Sequence, residues 1–299
     1  MTRGQARRIL APLLALILAA VMAVWIVPPL IQRLKSAFPP AFEHSPTGFA
    51  AATIARGAVL FPVQCARCHG ATGRGDGPDA KALPVPPADL TAQHLWNHSD
   101  RELFGWLSQG IERPQGTVVM PGFADVLPES DLWALIDFLR AHNAGAVFGA
   151  TGQWPHALLA PDFAATCAGG GRITLSDLKD KAALIVALRS DETDLPPLPE
   201  ALAARLVVIA LARDRQIEET GGLCVADDPA AWTAYAVIAG VDGESLGGMQ
   251  FLADPQGWLR AVWKSGEPLA WSDPGALAAR IEAFRGDRVS AEAGLPLQR

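Results

Sequence analysis

From Ile9 to Ile31 the chain carries no charged residue. As a helix rising roughly 1.5 Å per residue, this run spans about 34 Å, enough for the hydrocarbon core of a bilayer. It predicts one transmembrane helix within residues 1–40. A cleaved signal peptide is the alternative, with Val21-Met22-Ala23 as a small-residue cleavage site, but the apolar run continues through Trp25 to Ile31, beyond a usual signal core. Arg3, Arg7 and Arg8 outnumber Arg33 and Lys35, so the N-terminus is expected in the cytoplasm and the rest of the chain outside. Pro39, Pro40 and Pro46 then read as a short stiff spacer.

Residues 47–145 read as a helical domain. An alanine-rich stretch predicts a helix from Thr47 to Phe61, and a second, short helix is expected from about Ser99 to Ser108. Leu132, Leu135, Ile136 and Leu139 recur at helical spacing from Pro128 to Ala141, with Asn143 and Gly145 as stop signals. Prolines 84, 86, 87, 114 and 121 place long loops between them, and few strands are indicated. A Gly- and Ala-rich linker, Ala144 to Ala160, leads to an α/β domain at 160–285. Ala182–Leu188 and Leu206–Leu211 are short apolar runs suited to buried strands. Phe251–Ala253, the turn Asp254-Pro255-Gln256-Gly257 and Trp258–Trp263 read as a hairpin, and Pro274–Phe284 as a final amphipathic helix.

Charge sharpens this division. Residues 1–40 hold five basic and no acidic side chains, 41–145 seven against eleven, and the remainder thirteen against twenty. Both folded halves are acidic, without a basic patch carrying interleaved aromatics, which excludes nucleic acid as a partner.

The strongest chemical signal is Cys65-Ala66-Arg67-Cys68-His69, the CxxCH spacing of c-type haem attachment, expected by chance about 0.001 times in a chain of this composition. A redox CxxC or zinc site that happens to precede a histidine is the alternative; zinc lacks partners, because Cys167 and Cys224 are remote and not in a CxxC. A soft thioether beside an imidazole favours ferrous iron and raises the potential. Met1 is the initiator and Met22 lies in the anchor, which leaves Met120 and Met249; Met120, followed by Pro121, is the better placed, with His94 or His98, or an open or weakly filled site, as alternatives. His94 and His98 also stand i,i+4, a metal-capable spacing without a third ligand. His44 and His142 read as surface histidines and Met249 as packing. Gly73-Arg74-Gly75-Asp76-Gly77 follows no predicted strand and lacks the Lys-Ser/Thr of a phosphate loop, so it reads as a turn.

The run RGAVLFPVQCARCHGATGRGDGPDAKALPVPPADL, the downstream MPGF and the closing DLWALIDFLR resemble a class I cytochrome c domain in family order. The resemblance implies one haem c joined through thioethers to Cys65 and Cys68, with His69 and Met120 as its iron ligands. It also implies that the first and last helices cross, bringing Gly57 and Phe61 to the Trp133 and Phe138 side. APDFAATCAGGGRITLSDLKDKAALIVAL with QFLADPQGWLRAVW resembles the thioredoxin-like superfamily of peroxiredoxin-type and copper-chaperone-type proteins. Where that family's redox cysteines follow the first central strand, this chain has Arg189-Ser190-Asp191-Glu192-Thr193-Asp194, and Gly248 stands where a cis-proline is usual. Asp191, Glu192 and Asp194 read as a solvated acidic loop. Cys167 and Cys224 are left either as two buried thiols, the preferred reading, or as a disulfide.

These readings combine into a cytochrome anchored by one pass in a bacterial inner membrane, its soluble domains in the periplasm, passing single electrons between redox-protein donors and acceptors. The alternative is a redox-sensing or assembly factor whose thioredoxin-like domain binds a respiratory metalloprotein client.

Overall fold

The computed structural model describes residues 44–114, 116–154, 156–178, 180–192, 195–213 and 223–284. The expected transmembrane helix lies outside these residues, as does Asp194. Among the described residues no helix is long and apolar enough to cross a membrane.

Helix α1 (Ala51–Gln64) runs through Cys65 into the single turn α2 (Ala66–His69); α3 (Asp100–Gln109), the strands β1 (Gly110–Arg113) and β2 (Thr117–Pro121), and α4 (Glu129–Thr151) complete the first half. The helix expected from Thr47 starts four residues later, at Ala51, and the Thr47 hydroxyl serves a different end. Thr47 and Thr53 donate to the buried carboxylate of Asp137, Thr53 at 2.6 Å, tying the entering chain to α4. Helix α3 forms where expected, and it carries a capping box that the sequence reading did not single out: the Glu102 N–H donates to Ser99 Oγ at 3.2 Å and the Ser99 N–H to Glu102 Oε2 at 2.8 Å. Phe61 meets Phe138 with ring centroids 5.3 Å apart, and a side chain at Gly57 would strike the Ala134 carbonyl, so α1 and α4 cross where the sequence places them.

Two expectations fail here. Asn143 and Gly145 do not end the last helix, which continues to Thr151 and stops at Gly152 in the left-handed conformation. Asn143 is wholly buried and makes tertiary hydrogen bonds, while Gly145 lets α4 approach the backbone of Val237 and Gly240 so closely that any Cβ would collide. Nor is this half purely helical. β1 and β2 pair antiparallel with Ile111 opposite Met120, since Ile111, Thr117, Val118 and Val119 are β-branched and Gly116 supplies the turn at φ +80°.

The second half holds β3 (Ala164–Cys167), β4 (Gly171–Thr174), β5 (Ala182–Ala187), α5 (Glu200–Ala203), β6 (Leu206–Ala212), β7 (Cys224–Asp227), α6 (Pro229–Ala239), β8 (Gln250–Ala253), β9 (Leu259–Trp263) and α7 (Pro274–Ala283). The described strands form one sheet in the order β4-β3-β7-β6-β5-β8-β9. Strands β5, β6 and β7 are parallel and β8–β9 an antiparallel hairpin, so β6-β5-β8-β9 is a mixed thioredoxin-like sheet. Every residue of β5 is buried, and its period-two alternation serves two cores: Ala183, Ile185 and Ala187 face one, Ala182, Leu184 and Val186 the other. Helix α6 is apolar nearly all round because it is covered on both sides, by the sheet and by α1 and α4. Ala51, Ile54, Ala141 and Ala144 thus share a core with Tyr235, Ile238 and Phe251. The two halves pack as one body.

Asp137 supplies a pH test of the strap. Its burial raises the pKa, against the opposing effect of the donated hydroxyls. A carboxyl raised in the folded state adds stability that is complete below its unfolded pKa and lost as pH rises through the folded value. The stability of the wild type relative to Asp137→Asn is therefore expected to decline on raising the pH from about 4 toward neutrality. Urea unfolding across that range measures it; a difference that grows with pH would contradict the assignment.

Candidate functional site

The end of α1 delivers three chemical groups in five residues. The Cys68 and His69 amides both donate to the Cys65 carbonyl, at 3.1 and 2.9 Å, which winds Cys65, Cys68 and His69 onto the wall of a single cavity. As a free thiol Cys65 has its pKa pushed up to about 12, by burial first and by neighbouring Cys68 second. Thiol exchange needs the opposite, an accessible thiol of lowered pKa. The chemistry of this pair suits covalent bonding better than disulfide cycling.

His69 is oriented from behind. Its Nδ1–H donates to the Ala88 carbonyl at 2.9 Å, and since a carbonyl can only accept, the lone pair is left on Nε2. Burial lowers its pKa, which keeps the ring neutral and able to bind a metal. Ala88 is a partner the sequence did not single out, because a backbone acceptor carries no side-chain signal. Gly75 N–H donates to the His69 carbonyl at 2.7 Å and Gly77 N–H to the Cys68 carbonyl at 3.1 Å, so the glycine stretch is a turn closing under the motif.

Met120 arrives from the hairpin on the same cavity. Gly110, at φ +81°, has no room for a side chain against the Met120 carbonyl, and this closure at the base of β1 sets where β2 turns in. The cavity, of about 400 Å³, is otherwise mainly aliphatic, including Leu83, Val85, Leu95, Leu103, Leu107 and Ile111. His94 and His98 also line it, whereas His44 and His142 do not. His142 is half-buried instead of a plain surface residue: its Nε2 lies 2.9 Å from the Thr72 carbonyl and its ring stacks on Phe138. The wall from Leu90 to His98 is pinned by α4. Asn143 accepts from the Trp96 indole at 2.7 Å and donates to the carbonyls of Leu90 and Ala92 at 2.8 and 2.9 Å. Arg140 donates to the carbonyls of Leu95 and His98 at 2.7 and 2.5 Å and to Asp100 at 2.9 Å. Among the described residues no group of three His, Cys, Asp or Glu could hold a metal by itself, so the His94–His98 pair is not a site of that kind. Two thiols, an imidazole with Nε2 free and a thioether around an apolar cavity do fit a covalently held haem.

The second half offers no thiol chemistry at the corresponding end of β5. Arg189 stands there, paired with Glu192 at 3.2 Å, and the Gly248 N–H donates to Ala187 at 2.6 Å. Met249 is buried packing. Cys167 and Cys224 face each other across β3 and β7 and form a disulfide, which corrects the preference for two free thiols. Neither short strand was foreseen, and without them the 57-residue separation gave no sign of proximity.

A family model described as cytochrome c oxidase, cbb3-type, subunit III, matches residues 52–139. No curated protein matches the chain. Among solved structures it is similar to the reducing HAO-like protein complex of Kuenenia stuttgartiensis, at 27% identity and TM-score 0.25 over 29% of this chain and 42% of that one. The chain thus spans less than half the length of that relative. A thioredoxin-family thiol:disulfide interchange protein from Chlorobium tepidum TLS matches at 18% identity and TM-score 0.33, over 42% of this chain and 95% of that one. BsSco, a member of the Sco family of cytochrome c oxidase assembly proteins, matches at 12% identity and TM-score 0.30, over 42% and 95%. Residues 52–139 of this chain are a cytochrome c domain, a class whose work is haem-based electron transfer.

Proposed function

We propose that the protein is a monohaem c-type cytochrome, anchored by its N-terminal segment, that carries single electrons between redox proteins on the outer side of the membrane. The observation that carries this reading is the convergence of Cys65, Cys68, His69 and Met120 on one cavity. A haem held there supplies one reversible electron. Cys65 and Cys68 are the points of covalent attachment. His69, aimed by the Ala88 carbonyl, offers Nε2 as the proximal ligand, and Met120 offers its sulfur from β2. The aliphatic wall excludes water, which together with the thioether favours the reduced state. The Cys167–Cys224 disulfide supports an oxidising compartment, as the periplasm is.

Optical spectroscopy and redox titration of the wild type beside Met120→Ala test the assignment. The wild type is expected to hold haem covalently through denaturation, with a low-spin six-coordinate spectrum and a high potential. The variant should open the sixth position to small ligands and lose most of that elevation. An unchanged spectrum and potential in Met120→Ala would remove Met120 as a ligand; a wild type without covalent haem would remove the function.

A further inference from the structure

Asn143 is a wholly buried amide within α4, at a position where a leucine would fill similar space with no polar group to satisfy. Both N–H bonds of its side chain point at one segment: Nδ2 donates to the Leu90 carbonyl at 2.8 Å and to the Ala92 carbonyl at 2.9 Å. Carbonyls can only accept, so these two by themselves fix which end of the amide faces them. The Leu95 N–H also donates to Ala92, at 3.2 Å, whereas among the described residues Asn143 is the donor that reaches the Leu90 carbonyl.

Leu90 is held through its other backbone group as well. Its N–H donates at 2.7 Å to the carbonyl of Gly73, in the turn that closes under the CxxCH motif. One residue separates Leu90 from Ala88, whose carbonyl accepts from His69 Nδ1. That residue, Asp89, is tied forward: its Oδ1 accepts from the Thr91 N–H at 2.8 Å and from the Thr91 hydroxyl at 2.6 Å. A side chain at Gly75 would come within 2.4 Å of the Pro87 carbonyl oxygen and 3.4 Å of that of Ala88, so the turn lies directly against the segment that carries the acceptor. Ala88 therefore stands where Leu90 and the turn allow, and Leu90 stands where Asn143 holds it.

We propose, resting on the electron-carrier reading, that Asn143 is a positioning residue for His69: by fixing Leu90 and Ala92 it sets the place of the Ala88 carbonyl, and through it the angle and donor strength of the imidazole. The partner on the far ring nitrogen of a metal-binding histidine fixes its tautomer and raises its basicity, and losing such a partner weakens metal binding about 10- to 100-fold. Asn143 stands one step further out, so its removal loosens the Ala88 acceptor without deleting it. The third bond of the amide separates positioning from plain stabilisation of the wall. Oδ1 accepts from the Trp96 indole at 2.7 Å, and Trp96→Phe removes that bond while leaving both carbonyl contacts in place.

Proton NMR of the full reduced holoprotein tests this, because the solvent exchange of the His69 Nδ1–H reports its bond to Ala88 directly. In Asn143→Ala that exchange should be at least about tenfold faster than in the wild type, and the Leu90 amide should follow it, while the amides of β5 stay unchanged. Asn143→Ser, which keeps one donor, should lie between the two. Trp96→Phe should leave the Nδ1–H within about twofold of the wild type, even where urea unfolding shows a comparable loss of stability. Exchange within about twofold of the wild type in a low-spin Asn143→Ala, or in Asn143→Ser should the alanine variant not fold, would overturn the proposal. An equal acceleration in Trp96→Phe would do the same, as would a wild type whose Nδ1–H exchanges as freely as an exposed ring. Absence of covalently held low-spin haem in the wild type would instead overturn the electron-carrier reading, and the proposal with it.

Discussion

Arg140→Met is expected to destabilise the protein by about 3–5 kcal/mol, the cost of stranding one partner of a buried ion pair. The Arg140 side chain is 8% exposed and Asp100 14%, so solvent gives the remaining carboxylate little relief. The loss goes beyond charge. The guanidinium also satisfies the carbonyls of Leu95 and His98 and lies over the Trp96 ring, 5.0 Å from its centroid. No single methionine replaces a planar fork with several acceptors, and lysine, with one ammonium, should recover only part of it. Urea unfolding should show a lower midpoint at unchanged slope. The holoprotein carries a second readout, because Leu95 and His98 are cavity wall: the variant should bind external haem ligands more readily. A destabilisation below about 1 kcal/mol would mean that the pair is screened and that other contacts hold the wall.

That wall also shows where sequence reasoning stops. The CxxCH triplet, Met120 and the crossing of Gly57 and Phe61 with Phe138 are legible because local spacing or a family motif fixes them. The Ser99–Glu102 capping box went unread although it is complete within four residues, a local signal that could have found it. The buried strands β5 and β6 appear in the sequence as apolar runs, since both of their faces are covered. Asn143 misleads: its side chain suits a helix stop, and only the tertiary partners Trp96, Leu90 and Ala92 explain an amide in the middle of α4. Gly145 misleads in the same way, because the backbone it accommodates lies more than ninety residues on, at Val237 and Gly240. Residues Ala164–Cys167 and Cys224–Asp227 are too short to show periodicity and become strands through the sheet they join. The Ala88 carbonyl is invisible in principle, as every residue but proline offers the same backbone groups. What remains hidden is thus consistently non-local or carried by the main chain.

Replacing Cys167 and Cys224 together by alanine is expected to cost about 4 kcal/mol, from the loop-closure entropy of a cross-link spanning 57 residues. Alanine is the right probe, because Cys224 is 3% exposed and a serine there would add the separate cost of a buried hydroxyl. The bridge joins β3 to β7, and β7 leads directly into α6, the helix held between the sheet and the cytochrome helices. Ala51 and Ile54 of α1 share a core with Tyr235 and Phe251, so the body should unfold as one cooperative unit. The double variant is then expected to shift the haem absorbance transition and the far-ultraviolet transition by the same amount. Treating the wild type with an excess of small dithiol under mild denaturant should reproduce the shift. A sheet transition that moves while the haem transition stays in place would show that α6 docks on the cytochrome helices too weakly to couple them. Failure of either transition to move would place the stability of the sheet in its two apolar cores, with the cross-link contributing little.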